Sequence, residues 1–294
     1  QKFNGKITLT NDDVFSFDDH FFFTINSSTK INVLSIGKSH EFLSKIYTQN
    51  EFNFNASSLQ NINYNILPKQ ELIILNELDE IPTTLSQLLI THLAAQKNLV
   101  IIPSEQINME SYNRFFNRLA IGKVERFRRD SLKITNIKFN NPFFKNVFSK
   151  DVKNFQYPDV KGYYHNSFQQ SSSLIDFDNQ LPFMSRISLK NGLIYWSSAA
   201  LNTKNSNFTN SPLVVPLFYA PYYTIGEANT IDIATELKKD EVLSLQNDIY
   251  TFIPLQQSFS AKVSLRTKDD PATSGFYQII KENNPIETIA FNYK

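Results

Sequence analysis

The stretch "QKNLVIIPSEQ" at residues 96–106 places a serine where chemistry is possible. A short apolar run ends at Pro103, and Ser104 follows it, in the position where an α/β enzyme would display its nucleophile. A nucleophile elbow of the G-x-S-x-G type needs glycines two residues before and two residues after the serine, and these positions are Ile102 and Gln106. The sequence therefore favours the polar end of a buried strand over a catalytic serine.

A catalytic serine of the conventional kind also needs a histidine base, and the chain has only four histidines. His20 falls in a β-segment, and His92 lies on the apolar face of a predicted helix, where a hydrogen-bonded core histidine is the plainer interpretation. His40 and His165 remain as candidate bases, but no spacing recommends either of them. A hydrolase that uses Ser104 with one of these two histidines is the leading alternative function.

The acidic cluster "NELDE" at residues 76–80 follows another apolar run. Glu77 is the residue that would assist a serine hydrolase, and Glu77 with Asp79 offers oxygen ligands to a hard cation. This makes a metal-dependent binding module the second alternative. A solvated acidic loop ahead of a helix N-terminus explains the same residues more simply, because the helix dipole favours negative charge there. We therefore predict no metal site.

Nucleotide cofactors are disfavoured by the small number of glycines, which is seven. Gly37, Lys38 and Ser39 follow an apolar run, as in a phosphate-binding loop, but such a loop needs another glycine at position 32, which is Asn32. No two glycines are two residues apart, so the dinucleotide-binding motif is absent from the sequence. We predict no cofactor.

The composition excludes several further classes of function. With 29 basic and 28 acidic residues, the chain has no electrostatic footprint for nucleic acid. It has no cysteine, which excludes disulfides, thiolate nucleophiles and cysteine-based metal sites. No apolar run reaches the roughly 18–20 residues needed to cross a bilayer. Because the chain begins with Gln1, we expect it to be a piece of a longer product.

Three apolar runs, at residues 31–36, 71–76 and 98–103, alternate with segments of helical periodicity. Such runs are typical of strands buried on both faces of a parallel sheet with crossover helices. A fourth run at 192–198 precedes a capped helical segment, and the region 125–190 contains less regular strands. The predicted fold is a flavodoxin-like, three-layer α/β domain over residues 30–228.

In an open α/β sheet, ligands bind outside the carboxyl ends of the strands. The residues at these ends form a candidate binding rim, which consists of Lys38, Ser39, His40, Asn76, Glu77, Ser104, Glu105 and Trp196. Their types suit hydrogen bonding and stacking on the indole of Trp196. We predict a binding site at this rim and no catalytic residues.

The two ends of the chain have β-type patterns. Residues 1–29 alternate apolar and polar side chains, and residues 229–294 contain short apolar segments at even spacing between turn residues. The C-terminal segment is expected to form a small β-sandwich-like module, which the N-terminal segment would join.

The segment from Lys30 to Ser104, "KINVLSIG" to "NLVIIPS", resembles the ectodomain of Bacteroides-aerotolerance-type (Bat-type) membrane proteins. The similarity continues in "ITNIKFNNPFFKNVFSKDVKNFQYP" (134–158), "NSNFTNSPLVVPLFY" (205–219) and the segment 274–293. The resemblance implies a class I glutamine amidotransferase-like α/β domain and a parent protein with an N-terminal double-transmembrane segment. The amidotransferase chemistry requires a cysteine nucleophile, so no catalytic residue carries over.

The resemblance and the missing catalytic residues together predict a non-catalytic binding or scaffolding ectodomain. It would be the periplasmic part of a bacterial membrane-anchored envelope protein, with an envelope protein or a glycan as its partner. We predict that it does not bind nucleic acid.

Overall fold

A computed structural model describes residues 3–10, 20–25, 30–38, 40–139, 141–144, 156–219, 251–254, 263–264, 275–281 and 284–291. The chain divides into two compact units. The larger unit comprises residues Lys30–Ile225, and the smaller unit combines Gln1–Thr29 with Gly226–Lys294.

Strands outnumber helices among the described residues. Numbered in chain order, the smaller unit contains β1 (Phe3–Thr8), β2 (His20–Ile25), β14 (Thr251–Pro254), β15 (Val263–Ser264), β16 (Gly275–Lys281) and β17 (Asn284–Phe291). The larger unit contains β3 (Ile31–Gly37), β4 (Phe52–Ser57), β5 (Leu72–Leu78), β6 (Asn98–Pro103), β7 (Gly122–Arg128), β8 (Leu132–Ile137), β9 (Asp159–Val160), β10 (Tyr163–Phe168), β11 (Ser171–Phe177), β12 (Pro182–Leu189) and β13 (Gly192–Ser197).

The helices among the described residues lie in the larger unit. They are α1 (Glu41–Ile46), α2 (Thr83–Ala94) and α3 (Met109–Arg118), and residues 214–219 are also helical. Short 3₁₀ turns occur at Leu59–Asn61, Tyr64–Lys69, Pro142–Phe144 and Phe208–Asn210. None of the described helices is both long enough and apolar enough to cross a membrane.

The larger unit is built on a nine-stranded sheet with the order β4-β3-β5-β6-β13-β12-β11-β8-β9. The strands from β4 to β13 pair in parallel, whereas the strands from β13 to β9 pair antiparallel. We call these the parallel half and the antiparallel half, with β13 belonging to both. Strands β7 and β10 form a separate antiparallel ribbon.

Both faces of the parallel half are buried, as the continuous apolar runs predict. Every residue of β5 and β6 is buried, and successive side chains alternate between two hydrophobic clusters. Helices α2 and α3 pack in one cluster, together with Trp196 of β13. Helix α1 packs in the other cluster with the helical residues near 214–219.

The predicted helices are present. Leu85, Leu89 and Leu93 of α2 are buried at helical spacing, as their periodicity indicates. Helix α3 begins after Asn108, whose side-chain oxygen accepts a hydrogen bond from the backbone nitrogen of Ser111 at 3.0 Å. This contact is a conventional N-cap, which satisfies one of the free N–H groups of the first turn.

The prediction of a flavodoxin-like or amidotransferase-like three-layer domain with a small β-sandwich-like module is wrong. The protein is mostly β, and about half of its main sheet is antiparallel. The physical reason lies between residues 171 and 197, where β11, β12 and β13 follow one another through tight turns instead of crossover helices. A short turn can join only antiparallel neighbours, so this segment extends the sheet without adding helical layers.

The smaller unit contains an antiparallel four-stranded sheet, β15-β14-β16-β17, and an antiparallel two-stranded sheet, β1-β2. The ring of Phe22 in β2 meets the ring of Phe276 in β16 edge to face, with centroids 5.2 Å apart. Parts of the two predicted β-segments, at residues 11–19 and 229–250, lie outside the described residues.

Candidate functional site

The carboxyl ends of β3, β5 and β6 meet at one edge of the parallel half. Gly37, the last residue of β3, has φ +139°, and a Cβ atom there would lie 1.9 Å from the carbonyl oxygen of Asn76. The next residue, Lys38, donates its backbone N–H to that same oxygen at 2.8 Å. Only glycine fits such a close approach of two backbones, so this glycine fixes how tightly the strand ends converge.

Glu77 lies at the centre of this edge in a strained conformation. Its φ is 54°, and the pairing of β5 with β6 shifts register between Asn76 and Leu78. A left-handed conformation at a residue other than glycine costs about 1–3 kcal/mol and persists only where surrounding contacts enforce it. In this conformation the carboxylate of Glu77 reaches the loop that follows β13.

Both carboxylate oxygens of Glu77 accept hydrogen bonds from that loop. One oxygen accepts the backbone N–H groups of Leu201 at 2.9 Å and Asn202 at 2.7 Å. The other accepts the side-chain amide of Asn202 at 3.0 Å, and the same amide reaches a carboxylate oxygen of Glu105 at 3.3 Å. Because Glu77 is also buried, it acts as a latch between the β5 end and the loop after β13.

Lys38 and Asp79 form an exposed ion pair beside this latch. The ammonium group of Lys38 lies 2.7 Å from each carboxylate oxygen of Asp79. Partial burial raises the pKa of Asp79, but hydrogen bonds from Lys38 and Ser104 and the charge of Lys38 outweigh that effect. The pKa of this carboxyl group is therefore below its ordinary value, and Asp79 is ionised at neutral pH.

Two buried tyrosines hold the loops that follow β5 and β6. The hydroxyl of Tyr112 donates to the carbonyl oxygen of Leu78 at 2.9 Å. The hydroxyl of Tyr164 donates to the carbonyl oxygen of Ser104 at 2.9 Å and accepts the N–H of Ile107 at 3.1 Å. Both loops are thus anchored from below by side chains of α3 and β10.

Ser104 is buried and has no histidine partner. Its hydroxyl accepts the backbone N–H of Gln106 at 3.3 Å, and among the described residues no histidine forms a hydrogen bond with it. His40 instead forms a hydrogen bond with the hydroxyl of Ser35 at 2.9 Å, while His165 lies on β10 beside Arg126 and Arg128. The serine–histidine pair that the hydrolase alternative requires is therefore not assembled.

The remaining histidines have structural surroundings. His92 is buried on α2, and its Nε2 lies 2.9 Å from the carbonyl oxygen of Asn98. Burial lowers the pKa of His92 to about 4, so this residue is neutral at physiological pH. The sequence-based interpretation of His92 as a hydrogen-bonded core histidine is confirmed.

Glu77 and Asp79, the two candidate metal ligands, are occupied by N–H donors. Glu77 is surrounded by amide groups and Asp79 by the ammonium of Lys38, which are partners for an anion and compete with a cation. Within the ranges that the structure describes, no group of three or more histidine, aspartate and glutamate side chains is arranged to hold a metal ion.

Trp196 and Ser39 belong to the predicted rim but not to the edge as described. Trp196 does not line the edge, because it is fully buried and its ring packs against those of Tyr112, Phe116 and Phe168. The expectation of stacking on its indole is therefore wrong; its position in β13 is inside the sheet and not beyond its end. Ser39 lies outside the described residues.

The structure brings Lys38, Asn76, Glu77, Ser104 and Glu105 together at one edge. Asn202, which contacts Glu77 and Glu105, was not predicted from the sequence. The strand before it ends at Ser197, and no pattern in the following residues marks the one side chain that returns to the edge. The sequence feature that points to Asn202 is weak: it is an asparagine that follows the last parallel strand by a few residues.

Two clefts flank Glu77. The first, which we call the strand-end cleft, has a volume of about 530 Å³ and is lined by Gly37, Lys38, Ser58, Leu59, Gln60, Glu77, Leu78, Asp79, Glu80, Gln106, Ile107 and Asn108. The second has a volume of about 420 Å³ and lies between α1, Glu77 and the segments 201–203 and 209–215. Both volumes are in the range of small-molecule sites.

No protein-family model matches the chain, and no curated protein matches it either. Among solved structures, the chain is similar to a ThuA-like protein from Bacteroides uniformis, with a TM-score of 0.50 and 9% identity over 71% of this chain and 95% of that one. At this identity the likeness concerns the fold alone.

Two further similar structures have lower TM-scores. A cytoplasmic protein from Salmonella typhimurium gives a TM-score of 0.49 at 12% identity, covering 76% of this chain and 95% of that one. A β-galactosidase from Bacillus circulans sp. alkalophilus gives 0.48 at 11% identity over 69% of this chain. The chain spans about a third of the β-galactosidase, 33% of its length. The resemblance to Bat-type ectodomains stays a prediction.

Proposed function

We propose that residues 30–225 form a non-catalytic binding module and that its ligand site is the strand-end cleft. The observation that carries this proposal is the Glu77 latch. A strained residue at the floor of a cleft is typical of functional sites. The hydrogen bonds of both carboxylate oxygens to the loop after β13 fix Glu77, and with it the end of β5 that lines the strand-end cleft, while the loop itself lines the second cleft.

The chemistry of the edge supports binding over catalysis. A general base must be free to accept a proton from the reacting group, and the hydrogen bonds of Glu77 leave it none of that freedom. Asp79 is a weak base because its pKa is lowered, and the nearby Ser104 is buried without a histidine. A preformed cleft with fixed polar walls is the arrangement expected of a binding site.

The biological setting is proposed from the sequence. The resemblance to Bat-type ectodomains supports the periplasmic part of a membrane-anchored bacterial envelope protein, which binds or scaffolds an envelope protein or a glycan. The near balance of 29 basic and 28 acidic residues supports a partner other than nucleic acid.

Two measurements test the proposed function. A fluorophosphonate probe that labels active serines, read by intact mass, is expected to leave the wild type and the Ser104→Ala variant equally unlabelled. Labelling that disappears in the variant would show a serine hydrolase and overturn the proposal.

The second measurement locates binding. In ¹⁵N-resolved NMR spectra, a set of small polar fragments such as urea, acetamide and glycerol is expected to shift the backbone amide signals of Gly37, Leu78 and Ile107. The amide signals around the cleft of about 380 Å³ near Gln169 and Gln170 serve as the reference. Shifts at that reference cleft and none at the strand-end cleft would refute the assignment of the site.

A further inference from the structure

Four polar side chains of the strand-end cleft have no partner within the described residues. They are Ser58, Gln60, Glu80 and Gln106, and no hydrogen bond or ion pair of their side chains is present in that part of the chain. Gln60, Glu80 and Gln106 are exposed, and Ser58 is half-buried. Two amides, a hydroxyl and a carboxylate therefore face the cleft with both donors and acceptors unused.

The charges of the cleft select against an anionic ligand. The lining includes the carboxylates of Glu77, Asp79 and Glu80 against the single ammonium of Lys38, and that ammonium is already paired with Asp79. A phosphate or carboxylate entering the cleft would meet net negative charge with no free cation to receive it. A cationic group also gains little there, because Glu77 and Asp79 already have N–H partners and the remaining carboxylate, that of Glu80, is exposed to solvent. The atoms of the ligand that enter the cleft are thus neutral.

The residue types that line the cleft disfavour a protein as its ligand. Protein interfaces take most of their binding energy from a few aromatic or arginine anchors that fill apolar pockets. The apolar residues of this cleft are Leu59, Leu78 and Ile107, of which Leu78 is buried beneath the surface. Such a lining offers two aliphatic walls and a polar rim, which suits a small ligand with many hydroxyl groups.

Resting on the proposed function, we propose that the strand-end cleft binds a neutral saccharide. The amides of Gln60 and Gln106 donate to and accept from sugar hydroxyls. Ser58, two residues before Gln60, adds a hydroxyl. The ammonium of Lys38 and the carboxylate of Asp79 lie 2.7 Å apart, so a pair of adjacent sugar hydroxyls can bridge them, one as acceptor and one as donor. The sugar faces pack on Leu59 and Ile107.

The inference is tested by NMR titration of the full chain with defined probes. Cellobiose, maltose and chitobiose are the neutral saccharides, digalacturonate is the anionic one, and the uncharged peptide acetyl-Gly-Ser-Gly-amide represents a protein segment. At least one neutral saccharide is expected to give saturable shifts at the amides of Gly37, Leu78 and Ile107, whereas digalacturonate gives none. Stronger binding of digalacturonate, or binding of the peptide alone, would overturn the saccharide assignment.

A double variant, Gln60→Ala with Gln106→Ala, is expected to weaken saccharide binding at least tenfold. The control is Gln156→Ala, at an exposed glutamine that does not line the cleft, and its affinity is expected to equal that of the wild type. Both altered side chains are exposed, so the variant is expected to keep the wild-type fold. Unchanged affinity in the double variant would overturn the inference.

The fragments used for the proposed function separate the two failures. If urea, acetamide or glycerol shifts the cleft amides and no saccharide does, the cleft is a binding site and the saccharide class is wrong. If neither fragments nor saccharides shift them, both the proposed function and this inference fail.

Discussion

The two halves of the nine-stranded sheet differ in what they do with the ends of their strands. In the parallel half, β3, β5 and β6 all end at the same edge, so the residues that follow them converge on one site. In the antiparallel half, neighbouring strands end at opposite edges, and tight turns join β11 to β12 and β12 to β13. The parallel half therefore builds the candidate site, whereas the antiparallel half extends the sheet.

A buried carboxylate in each half makes this difference measurable. Glu77 joins segments that are more than 120 residues apart in sequence, because its partners are Leu201 and Asn202. Asp176 of β11 is also buried, but its partners are Lys138, at 2.6 Å, and Ser173, which is three residues away. The carboxylate of Glu77 fixes a loop at the site. The carboxylate of Asp176 instead joins its own strand to Lys138, which follows the neighbouring strand β8.

The largest effect is expected from Glu77→Ala. This change removes the acceptor of the buried N–H of Leu201 and of the half-buried N–H of Asn202, and it removes one of the two acceptors of the Asn202 side-chain amide. We expect the free energy of unfolding to fall by about 4 kcal/mol. Asp176→Ala, the matched variant, is expected to cost about 2 kcal/mol, since its lysine partner is half exposed and can return to water.

Urea denaturation gives both free energies, and hydrogen exchange shows where each change acts. Exchange is expected to accelerate at residues 201–206 in Glu77→Ala and to stay at the wild-type rate there in Asp176→Ala. Equal exchange in the two variants would remove the distinction between the latch and an ordinary buried carboxylate.

The second effect is a loss of stability in acid through His92, which packs against the parallel half. Its pKa is about 4 in the folded protein and about 6.5 in the unfolded chain, so the unfolded state binds more protons between these values. The contribution is fully present above about pH 6.5 and is lost as the pH falls towards about 4, by about 3 kcal/mol in total.

The measurement is the free energy of unfolding between pH 4 and pH 7.5, for the wild type and for His92→Gln. The variant is expected to be less stable at neutral pH but to show a weaker dependence on pH in this interval. The same slope in both proteins would mean that other groups cause the acid sensitivity.

A smaller effect is expected from Tyr164→Phe, which removes the hydroxyl that holds the loop after β6. The N–H of Ile107 and the carbonyl of Ser104 lose a partner, so the free energy of unfolding should fall by about 1–2 kcal/mol. The neighbouring Tyr163→Phe is the control, because no hydrogen bond of its hydroxyl occurs within the described ranges. Similar losses in both variants would show that the hydroxyl of Tyr164 does not anchor the site.

The smallest effect on stability is expected from Lys38→Met. The side chains of Lys38 and Asp79 are 56% and 58% exposed, and exposed ion pairs contribute at most about 1 kcal/mol. The pKa of Asp79, followed by NMR titration, should rise towards its ordinary value because the ammonium and its hydrogen bonds are removed. An unchanged pKa would mean that Ser104 alone lowers it.

The parallel half was predictable from the sequence because a strand buried on both faces appears as a continuous apolar run. The apolar runs of β3, β5 and β6 and the periodicity of α2 follow from what each segment must bury. The same apolar runs predict that Lys38, Glu77 and Ser104 are neighbours, since parallel strands bring their ends to one edge.

The antiparallel half was not predictable in the same way. The strands of residues 163–197 can be recognised by their alternation, but alternation does not state which strand each one pairs with. The same limit applies to Trp196, which follows an apolar run and yet lies inside the sheet, and to Asn202, which reaches Glu77 across more than 120 residues. Neither position has a local pattern that reveals its partner.

Local residue patterns predict the buried strands, the helices that cover them and the edge at which polar residues gather, and the composition excludes cysteine chemistry. These follow from side-chain burial and local periodicity, which act over a few residues. Local patterns do not predict that the sheet becomes antiparallel, that Glu77 forms a latch in a left-handed conformation or that four polar side chains face the cleft. Those features depend on contacts between distant segments, and a contact of that kind leaves no trace in the local order of residues.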